Sequence, residues 1–181
     1  MSEHSHEDGI LKMPYSDLER TAIHEAGHVV MAVLRKFSIK CVSIVPTETM
    51  NGKMEYKPWS QVRYETDTKL TARCHLQVES DVLVSVAGMI AEEIVTGTNG
   101  NIHGQDMDDA EEIAAIRFGT KSTTDMYIEF AKTLAREILT YPPHRAAIEA
   151  LAKALLRENE LTASAAKMIV RDVINEVSGK I

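Results

Sequence analysis

Two histidines that stand four residues apart, His24 and His28, are the residues of this sequence best suited to chemistry. Residues four apart on an α-helix lie one turn apart on the same face, so both imidazoles can bind one metal ion from the same side. Glu25 directly follows the first histidine and completes an H-E-x-x-H pattern. In that pattern the glutamate is the general base toward a water molecule beside zinc, which predicts metal-dependent hydrolysis.

The pattern requires a helix, and the surrounding residues predict one over residues 16–36. Ser16 and Glu19 form a Ser-x-x-Glu capping box at its start. Apolar residues then recur at helical spacing, and the two histidines fall at one border of the apolar stripe. Gly27 costs such a helix about 1 kcal/mol relative to alanine, so we expect another segment to pack closely against its backbone. The stripe consists of Leu18, Ala22, Ala26, Val29, Val30, Val33 and Leu34.

The H-E-x-x-H pattern is short, and a helical protein can contain it by chance. Three classes of protein therefore stay open: a zinc endopeptidase, a non-enzymatic zinc-binding adaptor or regulatory module, and a metal-free helical domain. Glu25 favours the first class, because a structural zinc site needs no base and usually fills all four positions with protein ligands. A third ligand elsewhere in the chain would decide whether the histidines form a metal site.

The amino-acid composition limits the kinds of protein that this chain can be. The chain has 181 residues, of which 44% are hydrophobic, and this predicts one domain over residues 14–181 after a flexible tail at 1–13. The net charge of −7 without a basic stripe argues against nucleic acid as a partner. No apolar run approaches the length of a membrane span, so we expect no membrane insertion. Cys41 and Cys74 form no C-x-x-C pair, and two unpatterned cysteines favour a cytoplasmic location.

The order of periodic segments predicts a mainly α fold with five or six helices and one small hairpin or sheet. Residues 38–45 alternate like a half-buried strand, and the Asn51-Gly52 turn leads to a return strand at 53–56. The edge of this hairpin could bind an extended peptide, or the hairpin could simply cover the first helix. Residues 159–161 are interpreted as a bend. Further helices are predicted over 71–96, from Asp106 to Gly119, and over 124–140, 143–158 and 162–177.

One acidic pair in the 71–96 helix needs an explanation. Projected at 100° per residue, Glu93 borders the apolar face and Glu92 points away. A glutamate that is turned inward needs a partner. A zinc-binding histidine, the metal or a peripheral salt bridge could each supply it.

Several stretches together resemble the peptidase domain of the FtsH family of ATP-dependent zinc metalloproteases. The resemblance covers about residues 16–175 and depends on several motifs in the right order. It implies an FtsH-peptidase-like helical fold with a small sheet beside the zinc-binding helix. The similar stretches are His-Glu-Ala-Gly-His at 24–28, the strand and proline at 42–46, the Ala-Glu-Glu helix at 87–97, Gly-Gln-Asp at 104–106 with alanines at 110 and 114, and the helical end at 151–161.

The resemblance also implies the ligands of the metal. His24 and His28 correspond to the family's zinc-binding histidines, and Asp106 corresponds best to its third ligand. Asp108 and Asp109 stay alternatives, because the loop before them is shorter than in the family. One zinc ion per chain is expected, although the same ligand types also suit other divalent metals.

The other implied roles concern catalysis and partners. Glu25 would be the general base, and Glu93 would steady a metal ligand or the surroundings of the metal without binding the metal itself. The implied activity is endopeptidase cleavage of unfolded proteins or peptides. The chain departs from the family because it contains no G-x-x-x-x-G-K-[ST] motif, and because Ala87-Gly88-Met89 replaces a glycine pair and an arginine. A separate unfoldase or a homo-oligomer is therefore an expected partner, and a non-enzymatic zinc module derived from such a peptidase is the alternative.

Overall fold

The computed structural model describes residues 15–46, 52–56, 72–98 and 104–180. In these ranges the chain is mainly helical, with six helices and a small antiparallel sheet, as the sequence predicts. The predicted tail at 1–13 lies outside the described residues, and the assignment of 14–181 to one domain stays a prediction. The elements are α1 (Asp17–Leu34), β1 (Ile39–Ser43), β2 (Lys53–Tyr56), α2 (Ala72–Thr96), α3 (Gln105–Phe118), α4 (Lys121–Thr140), α5 (Pro142–Glu158), β3 (Glu160–Thr162) and α6 (Ala163–Ser178).

Helix α1 begins with the predicted capping box. The Ser16 hydroxyl accepts a hydrogen bond from the Glu19 backbone N–H at 3.3 Å, and the Ser16 backbone N–H donates to Glu19 Oε2 at 2.8 Å. Each side chain thus satisfies a backbone donor that the helix itself leaves without an acceptor. The box fixes where α1 starts, two turns before His24.

Replacing Ser16 by alanine is expected to lower the free energy of unfolding by about 1 kcal/mol, because it removes the side-chain cap of α1. Urea denaturation followed by circular dichroism measures this change. Ser122 is an exposed serine in the first turn of α4 and serves as the control. Ser122→Ala should change the free energy of unfolding by less than about 0.5 kcal/mol. Equal effects of the two substitutions would contradict a capping role for Ser16.

The sheet has the strand order β2-β1-β3, with both pairs antiparallel. The hairpin of β1 and β2 confirms the prediction, whereas the interpretation of residues 159–161 as only a bend is wrong. Asn159 has a φ of +62° and turns the chain, and Glu160–Thr162 then pairs with β1. Val42 lies opposite Leu161, and both side chains are buried. A strand of three residues is too short to show an alternating pattern, so only its tertiary partner reveals it.

Helices α1 and α2 pack at very short distance around Gly27. A Cβ atom at this position would lie 2.5 Å from the Ala91 Cβ atom and 2.7 Å from the Ala87 carbonyl oxygen. This confirms the expectation that another segment packs against the Gly27 backbone. The close approach brings the face of α1 that carries both histidines against α2.

The buried core extends from these two helices to the rest of the fold. It includes Val29 and Val30 of α1, Leu83 of α2, and Leu151 and Leu155 of α5, all fully buried. In the described ranges, no helix combines the length and the apolar character that crossing a membrane requires.

Candidate metal centre and active site

Three potential ligand atoms from two helices meet at one point. His24 Nε2 lies 2.8 Å from Asp106 Oδ2, His28 Nε2 lies 3.3 Å from the same oxygen, and the two Nε2 atoms lie 3.0 Å apart. Both histidines come from the middle of α1, and Asp106 comes from the first turn of α3. Among the described residues, these three form the group of side chains that could hold a metal ion.

The spacing and chemistry of this group fit zinc. Nitrogen and oxygen ligands bind zinc at about 2.0–2.1 Å, so two of them in a tetrahedral site lie about 3.3 Å apart. The three observed distances of 2.8, 3.0 and 3.3 Å are close to that value. Two imidazoles and one carboxylate also leave one of four positions open, which is the pattern of catalytic rather than structural zinc sites.

Gly88 of α2 leaves room beside the ligand atoms. A Cβ atom at this position would lie 2.5 Å from His28 Nε2 and 2.6 Å from His24 Nε2. Any larger residue would therefore push the imidazoles out of their present positions. The glycine lets the α2 backbone approach the histidine pair. Both Nε2 atoms can then face Asp106.

The other ring nitrogen of each histidine is held by an acceptor. His28 Nδ1 donates to the Val84 carbonyl oxygen at 2.7 Å, and His24 Nδ1 donates to Glu92 Oε1 at 2.7 Å. Because these oxygens only accept, each Nδ1 carries the hydrogen and Nε2 is the atom available to a metal. The hydrogen bonds also fix the orientation of each ring.

The carboxylates around His24 determine its charge when no metal is bound. Burial disfavours a charged His24, but hydrogen bonds to Asp106 and Glu92 outweigh this effect and raise the pKa of His24 to about 10. Burial also disfavours charge on Asp106, yet the two histidines hold the pKa of Asp106 far below its ordinary value. Asp106 is therefore ionised, as a metal ligand must be, and a metal ion would replace a proton of the histidine pair.

Glu25 lines the same cavity as His24 and His28, and one of its carboxylate oxygens can accept a proton. Its side chain is buried, and its Oε2 atom has no hydrogen-bond partner in the described part of the chain. Burial raises the pKa of Glu25, although the nearby His28 and His24 oppose the shift. A buried carboxylate with a raised pKa and a free oxygen is a suitable proton acceptor.

The start of β2 covers the other side of Glu25. A Cβ atom at Gly52 would lie 2.9 Å from Glu25 Oε1 and 2.6 Å from Thr21 Cγ2. The hairpin therefore rests directly on α1 next to the proposed base. This contact places β2 along one wall of the cavity that contains the histidines.

The prediction that Glu93 turns inward and Glu92 outward is wrong. Glu92 is buried and contacts His24, whereas Glu93 is half-exposed and pairs with Arg136 of α4 at 2.6 Å. The helical projection failed because α2 packs against several helices, so a single apolar face does not describe it. Gly88 and Glu92 are four residues apart and therefore share a face of α2. Since Gly88 lies against the histidines, this spacing places Glu92 on the side of His24.

Sequence reasoning also missed Arg20. Its guanidinium lies 3.1 Å from Glu92 Oε2 through Nη2 and donates to Thr98 Oγ1 at 2.7 Å through Nη1. Arg20 precedes His24 by one helical turn, so both side chains reach Glu92 from the same face of α1. The charge of Glu92 is therefore balanced by Arg20, and its second oxygen is left to hold His24.

Asp108 and Asp109 do not join the ligand group. Both are exposed, and Asp109 Oδ1 accepts a hydrogen bond from Gln105 Nε2 at 2.8 Å. Of the three acidic residues at the start of α3, the structure brings only Asp106 to the histidine pair among the described contacts.

Replacing Glu92 by glutamine is expected to weaken zinc binding about 10- to 100-fold, the usual effect of losing a carboxylate that orients a histidine ligand. Competition with a fluorescent zinc chelator measures the affinity. Glu93→Gln is the matched control, because it removes the same charge one residue later on the side of Arg136. Equal losses from both substitutions would show that general charge, not the contact with His24, controls zinc affinity.

Comparison with protein-family models and with curated proteins finds no match to this chain.

Proposed function

We propose that this chain is a zinc-dependent endopeptidase of the type found in the FtsH family, acting on unfolded proteins or peptides. One observation carries the proposal. Glu25, whose buried carboxylate oxygen Oε2 has no hydrogen-bond partner among the described residues, opens onto the same cavity as the group of His24, His28 and Asp106. A zinc site with a purely structural role has no use for such a base.

Each residue of the site has a separate role in the proposed reaction. His24, His28 and Asp106 would hold a zinc ion, which would polarise a carbonyl oxygen and lower the pKa of a water molecule. Glu25 takes a proton from that water as its oxygen bonds to the peptide carbonyl carbon. Glu25 then gives the proton to the amide nitrogen while the C–N bond breaks, which releases an amine and a carboxylic acid that loses its own proton to the amine or to solvent. Glu92 keeps the His24 ring in place throughout.

The sheet supports the choice of substrate. In the strand order β2-β1-β3, no described strand pairs with the outer edge of β2. Gly52, which precedes β2, and Lys53 and Met54 of β2 also line the cavity. An extended peptide can therefore add to this edge by backbone hydrogen bonds and pass beside Glu25. Only an unfolded segment offers an extended backbone free for such pairing.

The test is cleavage of an unfolded, fluorescently labelled protein by the purified chain. We expect one zinc ion per chain by elemental analysis, cleavage with zinc bound, loss of cleavage after chelation and recovery after zinc is restored. Zinc binding without cleavage would contradict the peptidase proposal and favour a zinc-binding adaptor or regulatory module. A chain that binds no zinc would contradict the metal site itself.

A further inference from the structure

Three methionines from three different elements line the cavity. They are Met54 of β2, Met89 of α2 and Met107 of α3. Each is half-buried and packs against the hydrophobic core, so each presents part of its side chain to the cavity. Because these flexible apolar side chains come from separate elements, they are better explained as a recognition surface than as the apolar face of a single helix.

Each methionine lies one or two positions along the chain from a residue that forms the site. Met89 follows Gly88, where a Cβ atom would collide with both histidines, and Met107 follows Asp106. Met54 comes two residues after Gly52, which rests on Glu25. All three line the same cavity as Glu25 and the group of His24, His28 and Asp106.

Several charged groups of the same cavity already have partners within the protein. Arg20 pairs with Glu92, Lys53 pairs with Glu55, and Asp109 accepts from Gln105. These side chains gain little by exchanging their partners for a charged substrate. Among the described residues the methionines have no such competing partner, so burying an apolar group against them is favourable.

We propose that the cleft recognises apolar substrate side chains of varied size next to the scissile bond, and that Met54, Met89 and Met107 determine this specificity. The cavity of about 570 Å³ lies within the range of small-ligand sites and has room for bulky side chains. Unbranched thioether side chains change rotamer easily, so one surface can fit leucine, phenylalanine or methionine. The inference rests on the proposed peptidase function and names its substrate class.

The first experiment measures binding without cleavage. Zinc-loaded Glu25→Gln protein is titrated into fluorescent ten-residue peptides that differ only at one central position. We expect peptides with leucine, phenylalanine or methionine to bind about 10-fold more tightly than those with serine, aspartate or lysine. Fluorescence anisotropy gives the dissociation constants. Equal binding of the apolar and polar series would overturn the inference.

The second experiment changes the methionines in that protein. Replacing all three by glutamine keeps their length but makes them polar, and it should reduce the preference to less than about 3-fold. Replacing all three by leucine should keep the preference for apolar residues but narrow the range of sizes. Met126→Gln and Met168→Gln are the controls, because both side chains are exposed and neither lines the cavity. Zinc content and circular dichroism verify folding, and single glutamine variants replace any triple variant that fails this check.

The outcomes separate this inference from the peptidase proposal. Selective binding of apolar peptides without cleavage by the wild type would uphold the inference and contradict peptidase activity. Cleavage that ignores the central residue would uphold the activity and overturn the inference. A glutamine variant that keeps the full preference would also overturn it, because the methionines would then not determine specificity.

Discussion

Glu25→Gln is expected to lower the rate of peptide cleavage by about 100- to 10,000-fold, the usual contribution of a general base. Glutamine has almost the same shape as glutamate but cannot take a proton from water. The three proposed ligands are untouched, so the variant should still bind one zinc ion per chain. Cleavage of the unfolded fluorescent substrate and zinc content, measured on the same preparation, check both parts of this expectation.

The variant should also remain folded. Because burial raises the pKa of Glu25, its charged form is less favourable in the folded chain than in water, and removing the charge should not lower the free energy of unfolding. Glu112→Gln, at an exposed position of α3, is the control for an unspecific effect of charge. Cleavage by Glu25→Gln at the wild-type rate would show that another group accepts the proton, or that a contaminating protease was measured.

The first helix could be predicted from the sequence because its signals are local. The capping box of Ser16 and Glu19, the apolar period and the spacing of His24 and His28 all lie within 19 consecutive residues. Side chains at such spacing share a face whatever the rest of the chain does. The structure has α1 where these signals place it, and it brings both histidines to one point.

Features that depend on packing between distant segments could not be predicted in the same way. The direction of Glu92 follows from the contact of α2 with Arg20 and His24, which lie 72 and 68 positions earlier in the chain. Strand β3 exists because Leu161 meets β1, and its three residues show no period of their own. The role of Asp106 could be predicted only in part, since nothing but the motif resemblance distinguished it from Asp108 and Asp109.

The strongest test of the metal centre is a set of three substitutions at the start of α3. Asp106→Ala is expected to weaken zinc binding by more than about 100-fold, because losing a ligand should exceed the effect of losing a residue that orients one. Asp108→Ala and Asp109→Ala should leave zinc affinity within about 3-fold of the wild type, since neither carboxylate joins the histidine pair. Competition with a fluorescent zinc chelator measures all three affinities.

These controls match Asp106 closely. All three aspartates lie near the positive end of α3, so each substitution removes one negative charge from a similar part of the helix dipole. Any general effect of charge or helix stability should therefore be similar in the three variants. A loss of zinc in Asp109→Ala with normal binding in Asp106→Ala would mean that the ligand is Asp109, and that α3 begins in a different position when zinc is bound. Equal, small effects in all three would leave His24 and His28 as the protein ligands and remove the argument for a three-ligand catalytic site.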